Sequence, residues 1–265
     1  MRDRGPWPTL ALGAAVVIVA LGVGRVNGVG PLAASPAPQT VTDPREMVAR
    51  SFQAVLDADA VHLDGTLTGA IPGTLVDRPE KTVSLAGSKL SIDIRAHDAR
   101  TQAHLVIPAL DLSLDTVTVW NDAWYRYSAT AAWTRTTAGD ASAKAGVDVN
   151  PLTFVDRLRE FLAGPLISAS EKEVACASAS GHCHEVLVNA GPDPSRILGA
   201  ALPDGRGVEL PDVPIIVTLD TDAVTLRPQH LEIIGASCDG TVTFDLVLDA
   251  SQWNGAVTID QPPGG

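Results

Sequence analysis

Aromatic residues make up only 4% of this 265-residue chain, and Met occurs just twice. A core built from it must be aliphatic, and a hydrophobic content of 45% is ample for one. Basic residues are scarce too, 19 against 31 acidic, for a formal net charge of −12. That balance excludes a phosphate-tracking surface, so nucleic acid is not an expected partner, and it disfavours electrostatic adhesion to anionic headgroups. Signatures of catalysis are also missing. The nearest string to a G-x-S-x-G elbow, Gly235 to Gly240, has the wrong spacing, and His184-Glu185 is not followed by the second His of a zincin. Gly22-Val-Gly24 lies inside an apolar run, where no dinucleotide fold can form. With no nucleophile–base constellation, an enzyme is the weakest reading, and neither cofactor nor metal is expected.

What the chain does have begins at the N-terminus. No charge interrupts Gly5 to Gly24, between Arg4 and Arg25. At about 1.5 Å per residue this run spans roughly one hydrocarbon core, while its densest part, Leu10 to Val23, has the length of a signal-peptide core. Residues 1–24 are therefore a membrane anchor or a signal segment. Retention is favoured, because Leu32 is a poor minus-three residue for cleavage after Ala34 and no Cys follows the run to accept a lipid. Arg2 and Arg4 hold the N-terminus in the cytoplasm, and everything beyond is extracytoplasmic. Residues 25–42 are small, Pro-bearing and aperiodic, as in a linker.

Residues 43–263 read as one domain. Asp43-Pro44 supplies a cap and a first turn for a helix carrying Val48, Phe52, Val55 and Leu56 on one face. From Val61 the period becomes two: Val61, Leu63 and Leu67 alternate with polar residues, as do Leu90, Ile92 and Ile94, then Leu110, Leu112 and Leu114. The alternation slips at Thr116, so that Val117 and Val119 carry the apolar side, the mark of a bulge or bend. Asn121-Asp122 is a turn between strands. Two further helices are announced by Asn150-Pro151, ending at Gly164-Pro165, and by Asp193-Pro194, ending near Leu202. Strands are expected at 166–174, 183–189, 215–219, 224–227, 231–234, 242–248 and 257–259.

The fold class is α+β: a large curved antiparallel sheet, open as a half-barrel, with three short helices on its concave face. Eleven or more strands offer more concave apolar area than three short helices fill, which leaves room for a ligand cavity; a sheet folded on itself as a solid sandwich is the equal alternative.

The segments SFQAVLDADAVHLDGTLTGAI, VWNDAWYRYSATAAWTR, NPLTFVDRLREFLAG and WNGAVTIDQPP occur in an order that resembles the LppX/LprG group of mycobacterial and related actinobacterial envelope proteins. The resemblance runs from about Asp43 to Pro263. It implies a LolA-like half-barrel and carriage of acylated lipids or lipoglycans between membranes, with envelope transport partners. The chain departs from the group in having no lipobox Cys, which implies a tethered carrier rather than a free shuttle. In such a fold the apolar phase of each strand faces inward, so Leu63, Leu67, Leu90, Ile92, Ile94, Leu110, Leu112, Leu114, Phe244 and Leu246 should line one lipid-binding surface.

Cys176 and Cys183 bracket a turn-like hexapeptide, and outside the membrane a hairpin-closing disulfide there would contribute roughly 2–2.5 kcal/mol. A metal site from Cys176, His182, Cys183 and His184 is the lesser alternative, since neighbours on a strand point to opposite faces. Cys238 is left over as a buried or loop thiol. Trp120, Trp124, Tyr125, Tyr127 and Trp133 either pack across strands or rim a cavity mouth, and His62, His97, His104 and His230 read as solvated.

Overall fold

The computed structural model describes residues 41–73, 81–137, 159, 168–191 and 213–263. One α-helix is described in full, α1 (Pro44–Leu56). It starts where the sequence places it: Asp43 Oδ1 accepts a hydrogen bond from the Arg45 N–H at 2.9 Å and Pro44 fills the first turn. Met47, Val48, Ser51, Phe52 and Val55 form its buried face.

Twelve strands follow: β1 (Val61–Pro72), β2 (Thr82–Ser84), β3 (Ser88–Arg95), β4 (Arg100–Ile107), β5 (Leu112–Val119), β6 (Asp122–Arg126), β7 (Thr134–Thr137), β8 (Ser168–Ala175), β9 (His182–Gly191), β10 (Ile215–Asp222), β11 (Pro228–Ala236) and β12 (Thr243–Ser251). They form one antiparallel sheet in the order β7-β6-β5-β4-β3-β1-β12-β11-β10-β9-β8, with β2 on the far half of β1. The sheet is thus two meanders joined where the first strand pairs with the last, Leu67 opposite Leu246. It opens between β7 and β8, its two ends.

Helix α1 lies across β8, β9, β10 and β11, which defines an inner face. A single aliphatic cluster runs over that face from Leu112 and Leu114 on β5, through Ile92, Val61 and Leu248, to Val186 and Val188 on β9. Val41, in the expected linker, is buried in the same cluster.

Several expectations need correction. The pairing of β4 with β5 runs unbroken through Ala103↔Thr116 and Gln102↔Val117, so there is no bulge at Thr116. Val117 points instead to the outer face, where it packs with Trp124 and with Ile259 from the C-terminal segment. Residues 257–259 form no strand; they are an irregular strap, fastened where the Arg100 guanidinium donates to the Ile259 carbonyl at 2.9 Å. Val224 and Thr225 belong to the turn between β10 and β11, not to a strand, because the Asp222 carboxylate accepts from both backbone N–H groups. Leu110 closes a short 3-10 turn, with Asp111 left-handed at φ 53°, before β5 begins. Strand β4, which is not among the strands expected from the sequence, carries Thr101, Ala103, Leu105 and Ile107 on its inner phase, so that only its second half is strongly apolar. The expected segments 1–24, Asn150–Gly164 (apart from Arg159) and Asp193–Leu202 lie outside the described residues. Among the described residues no helix is long and apolar enough to cross a membrane.

Candidate functional site: the inner face and its ionisable corner

In a sheet, residues opposite one another across a ladder share a face, so the register sorts every side chain. Leu63 faces Ile92, Leu90 faces Leu105, and Leu105 faces Leu114. All ten residues expected to line a ligand surface fall in the one inner cluster, with Leu63 and Phe244 at its partly exposed margin. Under α1, Phe52, Val55, Leu63, Leu219, Leu231, Leu248 and Ala250 enclose a cavity of about 40 Å³.

The outer face is the reverse. One row of mutually opposite residues crosses ten strands: Lys172, Glu185, Asp220, His230, Asp249, Asp64, Ser91, His104, Asp115 and Arg126. A shallow depression of about 330 Å³ lies on it, walled by Asp64, Thr66, Lys89, Ser91, His104 and Asp249. Its carboxylates are open to water, Asp64 with 69% of its side chain exposed. Asp220 is pushed above the ordinary carboxylate value by burial, which the charge of His230 opposes and that of Glu185 assists.

Histidines here have carboxylate partners as well as the solvent exposure expected of them, His104 with 48% of its side chain open to water. His104 Nδ1 lies 2.5 Å from Asp115, and His230 Nδ1 lies 2.7 Å from Asp249. His62 is held at both ring nitrogens, Nδ1 at 2.7 Å from Asp93 and Nε2 at 3.1 Å from Asp64. Both nitrogens can donate only as imidazolium. Burial alone would lower its pKa, but Asp93 and then Asp64 outweigh that and raise it above 6.5. The sequence signal was present in the alternation of His62 and Asp64 on the polar phase, although its partner Asp93 lies far along the chain.

Among the described residues the inner face carries an acid–histidine corner on β8 and β9. His184 Nδ1 is 2.6 Å from Glu171, and His182 Nδ1 is 3.2 Å from Glu173. Beside them Ser51 of α1 donates to Thr221 at 2.8 Å, fully buried. The Cys176–Cys183 disulfide closes the adjoining hairpin, with S–S 2.00 Å, so neither thiol is free to ligate a metal. Cys238 is exposed, in the loop between β11 and β12.

The aromatic group divides. Trp124 is buried on the outer face, Trp133 stacks under the Arg126 guanidinium at 4.6 Å, and Tyr125 meets Tyr127 edge-on at 5.6 Å between ring centres. Trp120 is 64% exposed.

No family model and no curated protein matches the chain. Among solved structures it is similar to the lipoprotein LppX of Mycobacterium tuberculosis, at 13% identity over 82% of this chain and 98% of that one, with a TM-score of 0.48. It is similar to LprF from Mycobacterium bovis at 12% identity, over 83% and 97% of the two chains, again with a TM-score of 0.48. A LolA superfamily protein from Nitrosomonas europaea shows 10% identity over 82% and 96%, with a TM-score of 0.30.

Proposed function

We propose that the protein is a non-catalytic carrier or binding protein for acylated lipids or lipoglycans in the cell envelope, its domain extracytoplasmic and its N-terminal segment the membrane tether. The observation that supports this is the continuous aliphatic inner face of an open sheet, reaching from β5 to β9. Such a face recognises an acyl chain without any polar partner. Each buried CH₂ contributes about 0.8 kcal/mol, so a chain of about sixteen carbons gains on the order of 10 kcal/mol before ordering costs. The space under α1, about 40 Å³, has room for about one water molecule and is far too small for an acyl chain. Loading in this reading therefore moves α1, which lies across the sheet.

That same small cavity favours a second reading, an anchored envelope interaction or sensor module with a solid core. Native mass spectrometry of the full chain, purified from membranes of its own host, separates the two. The carrier carries an acylated lipid in stoichiometric amount; a well-folded chain that is consistently empty leaves the solid module.

A further inference from the structure

The strand positions that share the inner face carry ionisable side chains at four places among the described residues: Glu171, Glu173, His182 and His184. Elsewhere on that face the register places Val, Leu, Ile, Ala, Gly, Thr, Ser, Phe and Tyr in the main strands. An ionisable group facing an apolar surface is costly unless it is partnered, so four in one corner form a deliberate polar end to an otherwise greasy face. They pair in a way that leaves capacity over. His184 and Glu171 use one nitrogen and one oxygen on each other, and among the described residues neither side chain has another hydrogen-bond partner. Both are about three-quarters buried, with side-chain exposures of 22% and 25%, whereas Glu173 and His182 are open at the rim.

We infer that this corner is the headgroup end of the site proposed above, and that it takes an uncharged hydroxyl-bearing headgroup in preference to a phosphate. The inference rests on the carrier reading. An amphiphile lying along the inner face then points its acyl chain toward β1 and β5 and its head toward β8 and β9. The free oxygen of Glu171 accepts from a hydroxyl, and Nε2 of His184 serves as donor or acceptor to a second one. A phosphate brought to the same place meets two carboxylates, Glu171 and Glu173. Like charges at such range repel more strongly in a partly buried site than in water.

The test uses two probes that share glycerol and the oleoyl chain and differ only in phosphate: monooleoylglycerol and oleoyl lysophosphatidic acid. Binding to the full-length protein in amphipol is followed by native mass spectrometry titration at pH 7.5. The diol is expected to bind about tenfold more tightly. Glu173→Gln, at an exposed position that does not threaten folding, and Glu171→Gln each narrow that preference by improving phosphate binding. Equal affinities, a preference for phosphate, or a preference untouched by both variants would overturn the headgroup assignment and leave the carrier standing. Failure of the wild type to bind either probe would overturn the carrier reading itself.

Discussion

The ring of Phe244 occupies the space a side chain at Gly235 would need: a Cβ built there lies 2.3 Å from Phe244 Cε1. Gly235 and Gly69 flank Phe244 on the two neighbouring strands, and the ring lies over Gly235. They differ in what a substitution would strike. At Gly235 the obstacle is a partly exposed ring that can swing aside, whereas at Gly69 a Cβ would lie 2.2 Å from the Thr243 carbonyl oxygen and φ is +112°.

Gly235→Ala should therefore cost about 1–3 kcal/mol, and Gly69→Ala more, because backbone must move. Urea denaturation of both variants checks the order. Combining Gly235→Ala with Phe244→Leu should cost less than the sum of the single changes, as expected for residues in direct contact.

Ile259 belongs to no regular element yet is 1% exposed, packed against Trp124 of β6. Ile259→Ala should destabilise the fold by about 2–5 kcal/mol and weaken the near-ultraviolet signal of Trp124. A change within ±0.5 kcal/mol would show that the strap does not seal the outer face in solution.

These two sites show which parts of the fold were open to sequence reasoning. Val61, Leu63 and Leu67 alternate cleanly with polar residues, and the strand they mark is at the centre of the sheet. Val117 and Ile259 mislead because the rule of one apolar face per strand fails where a distant segment folds back over the other face. The ionisable corner was invisible for another reason. His184 and Glu185 are neighbours in sequence, but only the β8–β9 register puts His184 with Glu171 on the inner face and Glu185 with Lys172 on the outer.

Asp222 ties the disulfide hairpin to the next turn, accepting from the backbone N–H groups of Val224 at 3.0 Å and Thr225 at 2.7 Å and from the Ser180 hydroxyl at 2.7 Å. Burial alone would raise its pKa, but these donors hold it far below the ordinary 3.8. A depressed carboxylate contributes stability that is present above its unfolded value and lost as pH falls through the folded one. Asp222→Asn should cost about 1–3 kcal/mol at pH 7, and the gap from wild type should shrink as pH drops below 4. Thermal melts between pH 7 and 3 would show a constant gap if the carboxylate charge plays no part.

For His62 the sign reverses. Its pKa is raised, so its contribution is fully present below 6.5 and lost as pH rises through the higher folded value. Asp93 of β3 and Asp64 of β1 face the ring, and Ser251 of β12 lies opposite on the other side. His62→Gln should remove roughly 1 kcal/mol at pH 5.5 and much less at pH 8.5. Subtracting the two pH–stability curves isolates this residue from the other paired histidines, and a difference that does not depend on pH would refute the imidazolium assignment.

Leu63 stands at the partly exposed margin of the inner cluster and borders the cavity beneath α1, together with Phe52, Val55, Leu248 and Ala250. A tryptophan there exceeds the space available at rest. If acyl chains enter by lifting α1 from the sheet, Leu63→Trp competes with them for one surface: loading of monooleoylglycerol should fall about tenfold, while stability changes by less than about 1.5 kcal/mol because α1 gives way to the indole as it does to a ligand. If the core is solid, the indole forces neighbours off their rotamers, costing about 1–3 kcal/mol or more with no ligand binding to lose. Measuring loading and urea stability on the same variant decides the matter, because the two readings demand opposite combinations: lost loading on an intact fold, or a weakened fold in a protein that never took up lipid.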